Sequence, residues 1–267
     1  MTLSNYGVEN ASSGSVAPQA NGDRSVAVGN KAISDGTEAT SLTHSRADGV
    51  GSFAAGITNN TTSYGAIGNQ SVALGQFNKA GSNGVAIGSA FATTEGSQSV
   101  AIGRNVTSVG SGSLAMGHNS KANIIGMSAY AYGQFAAQGD AQSGQYILKS
   151  DTTDATAEAM TTNNSTAAAT NQIVAATDTC VTFSGTIVAM QNGAQSYGSW
   201  EIRGLLVNDG GTTTLPVFNI SEIGSSGWKI NLYADNTNNA LKVQVTGEAS
   251  HNIRWVANIQ TSEVTYA

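Results

Sequence analysis

The chain has few of the residues that carry chemistry or lock a small fold. Cys180 is the only cysteine among 267 residues, which excludes an internal disulfide and a cysteine zinc site. It lies in the strand-like run CVTFSG, where a small buried hydrophobe is expected and not a reactive thiol. His44, His118 and His251 are scattered without metal-ligand spacing, so no metal or other cofactor is expected. Charged residues make up only 10% of the chain, about half the usual share. No stretch reaches the roughly 18 consecutive apolar residues of a membrane helix. Membrane insertion is therefore not expected, and the low charge reads as a surface of Ser, Thr, Asn and Gly. The net charge is −6. Residues 21–140 balance six Lys/Arg against six Asp/Glu, while residues 141–267 carry five against ten. Without a basic stripe there is no electrostatic footprint for nucleic acid. The opening MTLSNYGVENASSG lacks the basic and apolar regions of a signal peptide, so cytoplasmic synthesis in the producing cell is expected.

What the chain has is glycine, 32 of them, and a repeated pentapeptide. Clear copies are SVAVG ending at Gly29, SVALG at Gly75, GVAIG at Gly88, SVAIG at Gly103 and SLAMG at Gly117. SFAAG (Gly56), YGAIG (Gly68) and AYAYG (Gly133) read as worn copies, and TSLTHS as a lost one. From Gly75 the closing glycines step by 13, 15, 14 and 16 residues, a period that suits the coils of a parallel β-solenoid. Alternation puts Val and Ile of each unit on one face and Ser and Ala on the other. The branched residues are expected in the core, with the small ones allowing a neighbouring backbone to approach. The closing Gly suits a corner with positive φ. Coils this thin gain by lateral association, and a closed symmetric oligomer is the natural outcome.

These pentapeptides, at intervals near 14, resemble the head repeats of trimeric autotransporter adhesins of the YadA type, over about residues 23–133. The resemblance implies a left-handed parallel β-roll in which three chains surround a common axis. The coiled-coil stalk and four-strand membrane anchor of that family have no counterpart in this sequence. Similar repeats occur in bacteriophage fibres, and the stretch HNIRWVANIQTSEVTYA resembles the ends of fibre-like structural proteins of phages that infect cyanobacteria.

After Gly139 the pentapeptides stop. Leu148–Gln172, rich in Thr, Ala and Asn, is a linker or a set of strands leading into the next domain. Strands are predicted at 180–191, 199–208, 215–223, 227–234, 240–246 and 252–265, with hairpin signals NDGG (208–211) and DNTNN (235–239). The fold class is therefore all-β: a trimeric parallel β-roll, then an antiparallel β-sandwich of jelly-roll type. The implied organisation is a virion-attachment segment (1–22), the roll (23–140), a connecting stretch (141–172) and a tip domain (173–267). Trp200, Trp228 and Trp255 fall on aliphatic faces and are expected in the core. Tyr197 and Tyr233 do not, and with the loop-tip residues Asn208, Asp209, Asp235 and Asn236 they are the candidate ligand surface.

No catalytic constellation is legible. GSGSLA (110–115) matches a dinucleotide fingerprint in letters only, because it sits at a repeat corner and not between a strand and a helix. Asp151, Asp154 and Glu158 form an acidic cluster that reads as a solvated loop. The six acidic residues of the repeat half fall in different corners, away from the paired arrangement that glycan hydrolysis needs. The expected function is structural and adhesive, not enzymatic: a homotrimeric bacteriophage tail fibre. Its partners would be a virion protein at the N-terminal segment and a host-surface glycan or protein at the other end. A capsid fibre or decoration protein is the alternative, and a tailspike-type polysaccharide depolymerase a more distant one.

Overall fold

The computed structural model describes residues 16–59, 61–193, 196–224 and 227–266. Most of the expected attachment segment, residues 1–15, lies outside the described residues. The described chain is all-β and contains no helix. It divides into two compact units, Met1–Ala122 and Asn123–Ala267.

The first unit is a β-solenoid of about eight turns. Each turn contributes a short strand to each of two parallel ladders. One ladder holds β2 (Val26–Val28), β4 (Thr40–Leu42), β6 (Phe53–Ala55), β8 (Val72–Leu74), β10 (Val85–Thr94), β11 (Val100–Ser108) and β12 (Leu114–His118). The other holds β1 (Gln19–Ala20), β3 (Ile33–Ser34), β5 (Arg46–Ala47), β7 (Gly65–Ala66), β9 (Lys79–Ala80) and β13 (Lys121–Ala122). The long strands β10 and β11 run round the corner and take part in both. Paired residues step by 13 to 15 positions, except for a step of 19 at the same turn in each ladder, Ala54 to Ala73 and Ala47 to Ala66. TSLTHS therefore fills a first-ladder rung as β4, whereas the Gly65–Ala66 of YGAIG belongs to the second ladder.

Each letter of the pentapeptide has a job in this geometry. The serine hydroxyl donates back to the carbonyl three residues earlier and closes the corner: Ser25 to Gly22 (2.7 Å), Ser71 to Gly68 (2.6 Å), Ser99 to Gly96 (2.6 Å) and Ser113 to Gly110 (2.6 Å). The central residue points inward. Ala27, Ser41, Ala54, Ala73, Ala86, Ala101 and Ala115 form one in-register column, with at most 1% of any of them exposed. Ser34, Ala47, Ala66, Ala80, Thr94, Ser108 and Ala122 form the facing column, equally buried. The closing glycines stack so tightly that a Cβ on Gly75, Gly88 or Gly103 would collide with the carbonyl of the closing glycine in the next turn.

The alternation alone predicts Val and Ile inside and Ala and Ser outside. Within one chain the reverse holds. Two short strands back to back, 13 to 15 residues per turn, leave room in the two columns for little more than Ala and Ser, with Thr94 the largest. The pentapeptide's branched residues are therefore turned out, while Ile57, Asn78 and Val106 fill the interior beside the columns.

The second unit holds a large antiparallel sheet in the order β14 (Ser128–Tyr132), β15 (Ala141–Thr152), β23 (Ile253–Thr265), β18 (Thr179–Gln191), β19 (Tyr197–Asp209) and β20 (Thr212–Gly224). A smaller sheet is built on β22 (Ala240–Thr246), which pairs with β21 (Lys229–Asp235), β16 (Ala157–Ala159) and β17 (Ile173–Val174). Leu148–Gln172 thus holds the end of β15 and all of β16. The core lies on one face of the large sheet: Tyr146 and Leu148 of β15, Phe183 and Ile187 of β18, Ile202 and Leu206 of β19, Ile253, Trp255 and Ile259 of β23. Trp255 is its centre. Trp200 stacks on it at 5.6 Å and Trp228, just before β21, packs on it at 5.6 Å and 59°. The Trp255 indole N–H donates to Thr152 Oγ1 at 3.0 Å, so even the polar edge of the ring is satisfied. All three tryptophans are buried, as their strand faces imply.

Candidate interaction surfaces

The inside-out packing of the solenoid leaves an apolar stripe on its outer surface. In register along the first ladder run Val26, Thr40, Phe53, Val72, Val85, Val100 and Leu114, and beside them Val28, Leu42, Ala55, Leu74, Ile87, Ile102 and Met116. None is buried by the chain itself, and Val26, Ile102 and Met116 are 40%, 40% and 41% exposed. Strand spacing makes the stripe about 30 Å long. Contiguous apolar surface on this scale marks an association site. A second outward feature is a stack of rings at the next corner, where Phe77 lies 5.3 Å from both Tyr64 and Phe91.

The acidic residues were expected to lie apart, but Asp35 and Asp48 fall in adjacent turns. Arg46 stands between them, at 2.5 Å from Asp35 and 2.7 Å from Asp48. The guanidinium is shared by the two carboxylates in charge-assisted contacts. Among the described residues no group of His, Cys, Asp and Glu is arranged to hold a metal ion.

In the second unit the six candidate ligand residues do not form one site. Tyr197 opens β19 and Asp209 ends it, so about 40 Å of strand separates them. Asp209, Asp235 and Asn236 do come together, because Asn236 Oδ1 accepts from the Thr213 N–H (2.8 Å) and Asn239 Oδ1 accepts from the Thr213 hydroxyl (3.1 Å). Asp235 is occupied with its own turn, accepting from Thr237 N, Asn238 N and Asn238 Nδ2. Partial burial pushes its carboxyl pKa up, but these donors outweigh burial and hold it below the ordinary aspartate value. Tyr233 is half exposed opposite Lys242 on the smaller sheet. Asn208 is a correction. It is 1% exposed and its amide donates to the Ala175 carbonyl at 2.9 Å, so it holds the hairpin base and is not on an exposed loop tip.

Cys180 is a second correction, since it is exposed. Val181 and Phe183 point into the core, and the period of two then turns Cys180 outward. The acidic cluster does not converge either: Asp154 caps Thr156 N (2.6 Å), Glu158 accepts from the Ser150 hydroxyl (3.1 Å) and Asp151 lies 3.9 Å from Arg254.

The most strongly held carboxylate is Asp140, which is 3% exposed and accepts the N–H groups of Phe135, Ala136 and Ala137 at 2.6–3.1 Å. Desolvation raises its pKa, and the three main-chain donors more than offset this, leaving it below the ordinary value. It organises the loop ahead of β15.

No family model matches the chain, and no curated protein matches it. Two solved structures overlap it loosely. One is the tailspike protein gp49 of the Acinetobacter baumannii bacteriophage Fri1, a capsular polysaccharide depolymerase, at 9% identity and a TM-score of 0.27, covering 88% of this chain and 44% of that one. The other is the tailspike protein of the Acinetobacter phage vB_ApiP_P1, at 8% identity and a TM-score of 0.22, covering 92% and 49%. The chain therefore spans less than half the length of each. Overlaps this loose do not transfer an activity.

One surface escapes sequence reading altogether: the polar outer face of the large sheet. The alternation marks Glu201, Arg203 and Asn258 as outward residues one strand at a time. Only the strand order brings them side by side.

Proposed function

We propose that the chain is a structural and adhesive component of a bacteriophage virion, a homotrimeric tail fibre. In this reading residues 1–22 tether the fibre to the particle and the β-roll of residues 23–140 is a stiff shaft. Residues 173–267, reached through 141–172, face the host and bind a surface glycan or protein. The observation that carries it is the outward Val/Leu/Ile stripe, kept in register through seven turns. Three copies related by a threefold axis would bury that stripe against one another, as the resemblance to YadA-type repeats implies. Three identical tips on one shaft then raise effective concentration, so that individually weak contacts hold. A shaft surface of Ser, Thr and Asn, with little charge, suits a role in which nothing but the tip should stick.

The test is the native mass of the full chain by light scattering, with Ile102→Asp as the variant. Ile102 is already 40% exposed, so a carboxylate there is tolerated by a single coil. In a trimer three carboxylates would meet near the axis and lose water without gaining a partner, which is strongly unfavourable. The wild type is expected near three times the 27.0 kDa of one chain, and the variant well below it. A folded wild-type monomer would overturn the reading.

A further inference from the structure

We infer that the outer face of the large sheet in the C-terminal unit is the ligand site, and that its ligand is an extended, uncharged polysaccharide segment. The inference rests on the adhesive reading above and gives it a place and a ligand class.

The site is built by register. Two adjacent cross-strand rows run perpendicular to β23, β18, β19 and β20. The first is Gln260, Ser184, Arg203 and Asn219; the second is Asn258, Thr186, Glu201 and Ser221. All eight side chains are exposed, and together they line a trough of about 500 Å³, within the size range of small-ligand sites. Four strands make the belt about 15 Å across, enough for a short oligosaccharide lying over the strands. Ser184 and Thr186, on the middle strand, are short and form the floor. The longer Arg203, Glu201, Gln260 and Asn258 stand on either side. Two irregularities in the β19–β20 pairing, at Ser199/Trp200 and Leu205/Val207, bracket Glu201–Arg203. Bulges re-aim side chains and recur beside functional sites.

The chemistry points to sugar. The eight groups are amides, hydroxyls, one guanidinium and one carboxylate, so the belt offers both donors and acceptors and its net charge is zero. Among the described residues, the only hydrogen bond given to any of the eight side chains is that from Gln145 Nε2 to Asn258 Oδ1, at 3.3 Å. The rest of their hydrogen-bonding capacity is open to a ligand rich in hydroxyls. Apolar residues flank the belt, Val188 and Val256 (55% and 43% exposed) on one side and Val217 (61%) on the other. These suit the C–H faces of pyranose rings. A nucleic acid or an acidic glycan would find a single cation, with a carboxylate two residues away on the same face. Only Glu201 among the eight is acidic, so the paired carboxylates of a glycosidase are not present in the trough, and binding without cleavage is the chemistry it fits.

The experiment uses the full chain on a printed array of bacterial surface oligosaccharides, neutral and anionic. Wild type is expected to bind neutral members. Ser184→Trp, which fills the floor from an exposed position, and Arg203→Ala, which removes the longest donor without adding bulk, should each weaken that binding about tenfold or more at unchanged native mass and melting temperature. Four outcomes overturn the inference: no binding to any neutral member, binding confined to anionic members, binding unaffected by both variants, or a fall in native mass for either variant, which would make this face a contact between chains. A trimer that binds no sugar removes the trough and leaves the fibre standing. A folded monomer that binds neutral sugar does the opposite.

Discussion

Replacing Ala101 with leucine tests the inside-out packing of the solenoid directly. Ala101 is fully buried, paired in register with Ala86 on one side and Ala115 on the other. The tiers are about 4.8 Å apart, and the opposite wall of the lumen is the equally buried column Thr94, Ser108 and Ala122. Three added carbons have nowhere to go along the axis or across it. Overpacking of this kind costs about 1–3 kcal/mol per chain, and a domain of this size loses roughly 2–4 °C of Tm per kcal/mol. A fall of several degrees in a thermal melt followed by circular dichroism is the expected result. The companion variant Ile102→Ala should also destabilise, but through the stripe, so its loss should shrink as protein concentration rises. That of Ala101→Leu should show a weaker dependence. If Ala101→Leu melts like the wild type, the alanine column is not the interior and the face assignment fails.

Two further outcomes are expected. Gly103→Ala places a methyl group against the Gly117 carbonyl at a residue whose φ is +137°. It should cost at least as much as Ala101→Leu and more than the same change at Gly112, where nothing lies within 4 Å of an added Cβ; equal melting of the two variants would refute the stacked-glycine account. Asp140→Asn should lower stability at pH 7 by on the order of 1–2 kcal/mol, through weaker acceptance of three N–H groups. Because the folded-state pKa of Asp140 is depressed, its contribution is present above the unfolded value of about 3.9 and is lost as pH falls through the folded value. The gap between wild type and variant should therefore narrow progressively in melts as pH falls below about 3.9, and a gap independent of pH would show that the charge is not what matters.

Much of this architecture is legible in the letters, and the failures have physical causes. The C-terminal strands are readable because each alternates strongly apolar with polar residues and ends at Asn, Asp or Gly. Ala240–Thr246 is found to the residue. The trough is not readable. β23 inserts between β15 and β18, joining Gln145 to Asn258 across 113 positions, and no local pattern announces which strands will be neighbours. The solenoid's period is equally plain, but periodicity gives two faces without saying which is inside. That is decided by lumen width, a property of the closed turn and not of the pentapeptide. Cys180 could have been placed: with Val181 and Phe183 fixing the inward register, its outward position follows.

In the proposed trimer the same narrow lumen would link the solenoid's stability to its assembly. Ordering a residue costs about 1–2 kcal/mol of backbone entropy, whereas a buried methyl group returns only about 0.8 kcal/mol. A turn whose interior is mostly Ala and Ser therefore gains little from its own core, and in the proposed trimer the outward Val, Leu and Ile would add to what the in-register parallel ladders supply. In the C-terminal unit the balance is different, because Trp255, Tyr146, Leu148 and Ile259 are buried within one chain. The two units should thus respond differently to dilution. Roll signals in hydrogen exchange should weaken as copies separate, while amides of β23 and β18 stay protected. Equal protection of both units at all concentrations would mean that the stripe contributes nothing to the shaft, and the trimeric reading would lose its physical basis.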